Sequence, residues 1–391
     1  MFPTYDADLY SDEGILNAYH HYKEIRDLGP VVRLSATGAL AVGRYQDARY
    51  ILQNHKKFIS SKGVALNEAT NDAAKGIPLT LDPPEHTRLK KVLDEPLTRQ
   101  AVAALTDQME QEADKLIERL VAQRAFDGVE DLARALPVSI VSTLVGLPED
   151  GRDAMLEWAA ASHDVNGPVN PRTERGAETF YGMIKYATET VTRDNVRPGS
   201  WAARIYDAAD EGRITQDEIS KLIVSYVVPS LETTISATSH MLHLFGLYPD
   251  QWRLLRENPD LIPNAIEEAL RVRTPVRSLA RYAVEPVEID GVVIPEGEYV
   301  VVLYASANRD ERKWREPEKF DITRSNARDH LAFGLGVHRC SGQYLAKLEI
   351  TSLLKAMASR IESFSVGESA APLNNILSTM TKLPVRIQPD R

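Results

Sequence analysis

The chain has 391 residues, of which 43% are hydrophobic, with a net charge of −10 and a single cysteine. That size and apolar content support an extensive core, and the acidic balance argues against nucleic acid as the main partner. One cysteine excludes an intramolecular disulfide and fits a reducing compartment. The first residues, Met1-Phe2-Pro3-Thr4-Tyr5-Asp6, have neither a basic nor an apolar leader segment. No run reaches the ~18 apolar residues of a membrane span, so a cytoplasmic protein with no membrane contact is expected. No linker, charge block or repeat offers a cut, and 1–391 reads as a single domain.

In chain order, Val31-Val32-Arg33-Leu34 and Ala39-Leu40-Ala41-Val42 flank a Thr37-Gly38 turn and predict a hairpin. Helical spacing follows over about 98–123, 131–145 and 174–194, whereas Glu149 and Arg152 read as a solvated loop. A capping box, Thr215-Gln216-Asp217-Glu218, opens a helix over 216–245, roughly 45 Å long. Pro229 lies midway along it, lacks an N–H and clashes with the Ser225 carbonyl, so a kink or local opening is expected there. Just beyond stand Glu232 and Thr233, a carboxyl and a hydroxyl of the kind that can relay protons. The helix over 260–272 places Glu268 and Arg271 three residues apart on one face, where an ion pair can form. Strands are expected around 287–289, 299–303 and 385–387, with the β-rich portion mainly in 28–45, 285–303 and 376–389. The result is a mainly α chain with a small β portion.

The most specific stretch is Phe333-Gly334-Leu335-Gly336-Val337-His338-Arg339-Cys340-Ser341-Gly342, which holds the only cysteine. Gly334 and Gly336 allow a tight turn that residues with a Cβ resist. Helical spacing over 340–360 puts Cys340 at a helix N-terminus, where the dipole is expected to lower the thiol pKa. This loop resembles that of the cytochrome P-450 family, the haem-thiolate monooxygenases. Asp82-Pro83-Pro84-Glu85-His86-Thr87-Arg88, Glu232-Thr233-Thr234 and Glu268-Ala269-Leu270-Arg271 resemble further family motifs, in the family's order along nearly the whole chain.

The resemblance implies a cytochrome P-450 fold with haem b ligated by Cys340, whose thiolate pushes electron density that favours O–O cleavage. Phe333 would shield the sulfur, Gly334 and Gly342 would shape the loop, and His86, Lys90, Arg281 and His338 would meet the propionates. Glu232 and Thr233 would be catalytic, in a helix where Pro229 and Ser230 replace the family's usual small residues. Glu268 and Arg271 would form a structural ion pair. The third member, usually Arg in P-x-R-F, is Lys319 in Pro317-Glu318-Lys319-Phe320.

With no flavin or nicotinamide motif in the chain, electrons from NAD(P)H would arrive through a ferredoxin reductase and a ferredoxin. The ferredoxin would be steered by Lys90, Lys91, Arg99, Arg339 and Lys347. A monomer is expected from the resemblance alone. The pocket would include Val64, Leu66, His163, Val165, Asn166, Ser225, Val228, Val276, Leu279, Leu377 and Met380.

Ser61-Lys62-Gly63-Val64-Ala65-Leu66, Asn166-Gly167-Pro168-Val169-Asn170 and Ser306-Ala307-Asn308-Arg309-Asp310 look most like the subgroup oxidising para-substituted benzoic acids. Val224-Ser225 stands where that subgroup has Arg-Ser. The expected activity is insertion of one oxygen atom from O2 into a C–H bond, by hydroxylation or O-demethylation, of a small hydrophobic, aromatic substrate. A peroxide-driven peroxygenase, a terpene hydroxylase and a non-enzymatic haem sensor stay open as alternatives.

Overall fold

The computed structural model describes residues 2–390. Helices dominate, and the strands form three small sheets. The largest has the order β1 (Thr4–Tyr5), β2 (Val32–Leu34), β3 (Leu40–Val42), β9 (Tyr299–Leu303), β6 (Ser278–Ala283), β4 (Phe58–Ile59). The expected hairpin is β2 and β3, antiparallel with Val32 opposite Ala41. β7 (Val287–Ile289) pairs with β8 (Val292–Ile294), and β11 (Pro384–Pro389) lies between β10 (Ile361–Val366) and β5 (Ala125–Asp127).

Several expected helices are divided. The 98–123 segment forms Arg99–Ala103 and Thr106–Gln123, and the Thr106 hydroxyl donates to the Ala103 carbonyl at the break. The 131–145 segment forms wide turns at Gly128–Ala133 and Pro137–Val141, then a short helix Ser142–Val145. Pro137 cannot supply an N–H to continue the preceding ladder. The 174–194 segment is Pro171–Lys185 followed by a wide turn Tyr186–Thr190. Glu149 and Arg152 are not in a loop: they open the helix Glu149–Val165, whose apolar face is buried through Met155, Trp158 and Ala159.

The long central element is two helices, Gln216–Ser230 and Glu232–Leu247, parted at Leu231 (φ −107°, ψ −66°). At its start Glu218 accepts the Thr215 N–H at 2.8 Å and pairs with Arg88, tying it to the helix Glu85–Asp94. Tyr226 adds a second tie through its hydroxyl to the Leu93 carbonyl, at 2.8 Å. The second half is buried on almost every side, as expected of a helix running through a core. Gln343–Ala358 lies against it and against Thr106–Gln123, completing the frame below the Cys340 loop.

Candidate active site

Between the central helices and the loop 333–342 lies a cavity of about 320 Å³ with mostly apolar walls. Cys340 lines its floor. Gly334 and Gly336 turn the loop at φ +65° and +73°, and a Cβ at Gly336 would run into the Leu52 carbonyl oxygen. The Cys340 N–H donates to the Phe333 carbonyl at 2.8 Å, closing the loop on itself. The nearby backbone N–H groups of Gly342 and Gln343 favour the charged form of the sulfur.

Burial nevertheless pushes the Cys340 thiol above its ordinary pKa, and outweighs those N–H donors and Lys90. The expectation of a lowered thiol pKa is therefore corrected. Desolvation opposes the charged form more strongly than two peptide dipoles favour it, in the absence of a cation on the sulfur.

Phe333 borders the same floor and is held from below. Its ring lies 5.1 Å from Nζ of Lys347 and 5.7 Å from the His330 ring, and both residues pair with Glu267, at 2.6 and 2.9 Å. On the cavity edge the His86 and His338 rings pack at a tilt of 57°, with centroids 4.3 Å apart. Nδ1 of His86 and Nε2 of His338 are buried without a protein partner. Burial is the main cause that lowers the pKa of each, and it favours the neutral ring. Arg281, 4% exposed, donates from one Nη to the Ala280 carbonyl, at 2.8 Å. Lys90 joins Asp94, at 3.1 Å, to the Ser341 hydroxyl.

Two orphaned ring nitrogens, an arginine with donors to spare and a lysine thus ring an apolar slot floored by sulfur. These residues fit a flat apolar macrocycle with an anionic edge, which is haem, and unpaired buried polar atoms of this kind call for such a partner.

At the break in the central element, Thr233 lines the cavity and its hydroxyl donates to the Pro229 carbonyl at 2.9 Å. Glu232 is buried beside it, and desolvation raises its pKa. Its neighbour Thr234, not singled out from the sequence as a site residue, also lines the cavity.

Of the expected pocket residues, His163, Asn166, Ser225, Val228, Val276 and Leu279 line this cavity. Val64 lines an adjoining outer chamber of about 550 Å³, which shares Ile77, Leu79, Asn166, Val224 and Val228 with the first. Four expectations fail. Val165 sits between His163 and Asn166 on its helix and turns into the core. Leu66 packs in the cluster with Tyr10 and Ile25. Leu377 is buried without reaching the cavity, which its neighbour Ile376 lines, because the chain bends at Asn375–Ile376. Met380 joins the main core.

The ion pair below the site is bidentate and fully buried: Arg271 Nε to Glu268 Oε2 at 2.7 Å, and Nη2 to Oε1 at 2.8 Å. Lys319 is not its third member, because that side chain is exposed. Arg324 takes the place, donating from Nε to Glu268 Oε1 at 2.9 Å. A second planar guanidinium can share a carboxylate already held by a first, and the only sequence signal was an unassigned Arg four residues past Phe320. Glu349 was also missed. It is 1% exposed at the cavity wall, both its oxygens lack partners, and burial holds its pKa well above the carboxylate range.

Among the expected surface cations, Lys90 and Lys347 are committed to Asp94 and Glu267. Lys91, Arg99 and Arg339 are exposed and form no ion pair among the described residues. No described helix is long and apolar enough to cross a membrane.

The cytochrome P450 family profile matches residues 173–389. Cytochrome P450 CYP199A2 of Rhodopseudomonas palustris is 33% identical over 99% of this chain and 95% of its own length. The 6-deoxyerythronolide B hydroxylase of Saccharopolyspora erythraea is 31% identical over 97% of this chain and 98% of its own. The solved structure of cytochrome P450 CREJ in complex with (4-ethylphenyl) dihydrogen phosphate superposes with a TM-score of 0.86 and 28% identity, covering 95% of this chain and 97% of that one. With a sulfur-floored cavity, a broken central helix and likeness along its whole length, this chain belongs to the cytochrome P450 family of monooxygenases.

Proposed function

We propose that the protein is a haem-thiolate monooxygenase, held as one domain over 1–391 and active in the cytoplasm. It inserts one atom of O2 into a C–H bond of a small, para-substituted aromatic molecule, by hydroxylation or O-demethylation. The observation that carries this reading is Cys340 at the floor of an apolar cavity whose edge holds two unpartnered buried histidine nitrogens. Haem bound there would supply the redox chemistry that activates dioxygen. The aromatic assignment rests on the three segments that resemble the benzoic-acid-oxidising subgroup, and on an apolar chamber of modest volume. It is supported by a relative of similar fold that holds a 4-ethylphenyl compound.

The chain's own residues divide the work. Cys340 would hold the metal, with the Gly342 and Gln343 N–H groups favouring its charged form, while Phe333 would cover the loop. His86, His338, Arg281 and Lys90 would orient the propionates. Apolar walls at Val228, Val276 and Leu279 exclude water and position the ring. The Glu232 carboxyl would supply a proton to Thr233 Oγ1, which would in turn release its own hydroxyl hydrogen, now held by the Pro229 carbonyl, to the cavity.

The test is turnover with 4-methoxyphenol and 4-ethylphenol under 18O2, with NAD(P)H, a ferredoxin reductase and a ferredoxin. One labelled oxygen in each hydroxylated product, or formaldehyde from the methoxy compound, is the expected result. Turnover with hydrogen peroxide but never with the electron donors would replace this reading by a peroxygenase.

Glu232→Gln is expected to slow coupled product formation about 100-fold. Because burial raises the pKa of Glu232, its protonated, donating form persists above the usual carboxylate range. The rate should then fall as pH rises through that raised value, and the glutamine variant should lose this fall. An unchanged rate and pH profile in the variant would remove Glu232 from the mechanism.

Electrons would enter near Lys91, Arg99 and Arg339. Replacing all three by alanine should raise the KM for ferredoxin about tenfold at low salt. The difference should shrink near 0.1 M salt and above, where screening acts over about 10 Å. An equal KM at all salt concentrations would place the ferredoxin elsewhere.

A further inference from the structure

The polar groups on the wall of the inner cavity are not interchangeable, because the protein has already used some of their hydrogens. His163 is 5% exposed, and its Nδ1 lies 2.7 Å from the Ala159 carbonyl oxygen. A carbonyl only accepts, so Nδ1 carries the proton. Burial lowers the pKa of the ring, and a neutral ring with its hydrogen on Nδ1 leaves a bare lone pair on Nε2. Among the described residues Nε2 has no hydrogen-bond partner, and His163 lines the cavity.

Ser225 makes the same choice. Its one hydroxyl hydrogen goes to the Lys221 carbonyl at 2.7 Å, so Oγ offers only lone pairs to the cavity. Asn166 gives one amide hydrogen to the Ser162 carbonyl at 2.6 Å and keeps its Oδ1 and one N–H free. The cations Lys75 and Lys221 line the outer chamber, together with Asp217. A carboxylate placed against His163, Ser225 and Asn166 would meet, from those three side chains, two lone pairs and a single N–H, and burial of a charge without donors is heavily penalised.

Accepting the monooxygenase reading above, we infer that the inner cavity selects a substrate whose polar end is a hydrogen-bond donor, a phenolic or alcoholic hydroxyl or an N–H, received by Nε2 of His163, with Oγ of Ser225 as the alternative acceptor for the same hydrogen. The chemistry excludes the benzoate form of a para-substituted ring from that position and admits the corresponding phenol. It also gives a reason for Val224-Ser225: without an arginine there, nothing on this wall neutralises an anion.

The test uses the haem-loaded protein and three compounds of one shape: 4-ethylphenol, 4-ethylanisole and 4-ethylbenzoate. Affinity is read from the ferric spin-state shift and, independently of any optical change, by calorimetry. The phenol is expected to bind at least about tenfold more tightly than either of the others, the scale of one net hydrogen bond to a buried acceptor. In His163→Leu that preference should fall below about threefold, with 4-ethylanisole binding little changed. Ser225→Ala, a smaller change, should reduce it by about threefold.

The inference is overturned if the benzoate binds tightest, if the three bind equally, if none binds, or if both variants keep the wild-type preference. Failure of the monooxygenase reading would appear separately, as no labelled oxygen in product while the calorimetric ranking holds.

Discussion

Cys340→Ala is expected to abolish the long-wavelength Soret band of the reduced, carbon monoxide-bound protein and to bring oxygenation to background. No second sulfur ligand of this type exists, since the chain has one cysteine. The loop around it is shaped for that atom, with Gly336 against the Leu52 carbonyl and the Cys340 N–H held by the Phe333 carbonyl. The change removes one atom from a cavity floor and leaves the framing helices alone. The far-UV circular dichroism and the denaturation midpoint of the haem-free protein should stay close to wild type. Retention of the long-wavelength band in the alanine variant would mean that a different side chain holds the metal.

The second large effect lies below the loop, at Arg271. All five guanidinium hydrogens are used: two on the Glu268 carboxylate and three on the carbonyls of Asn308, Pro317 and Lys319, at 3.0, 2.8 and 3.1 Å. Breaking a fully buried pair by removing one partner costs about 3–5 kcal/mol. Glu268→Ala and Arg271→Ala should therefore destabilise the fold by that amount and impair haem retention.

Arg271→Lys should be nearly as harmful. Three ammonium donors cannot reach five acceptors, and each orphaned buried group costs about 1–3 kcal/mol. Lys319→Ala should change stability by no more than about 0.5 kcal/mol, as for most surface positions, while Arg324→Ala should be clearly worse. Chemical denaturation of the variants decides this: equal costs at Lys319 and Arg324 would contradict the geometry described.

What could be read from the chain was mostly what depends on neighbours in sequence. The β2–β3 hairpin follows from alternation around Thr37-Gly38, and the Cys340 loop from glycines at fixed offsets. Readings that needed distant contacts fared worse. Helical periodicity over 216–245 is continuous, but the backbone is not, because Pro229 removes a ladder bond and Leu231 leaves helical geometry. Leu377 and Ile376 are equally apolar, and only the path of the chain after Asn374 decides which one meets the cavity. Lys319 occupied the expected position, yet the carboxylate is reached by Arg324 from a later turn. The direction of the Cys340 pKa shift also escaped, since burial of a side chain is a property of everything folded around it.

The break at Leu231 has a bearing on how this protein would respond to selection for heat resistance. Proline inside a helix forgoes about 3 kcal/mol or more relative to an uninterrupted one, so Pro229→Ala is among the first substitutions that a screen for thermal survival would retain. The mended helix would draw the Ser225 carbonyl back into its ladder and move the Pro229 carbonyl that now holds the Thr233 hydroxyl. A more robust catalyst obtained in this way would be a poorer one, and durable variants of this enzyme are better sought in its sheets and surface turns.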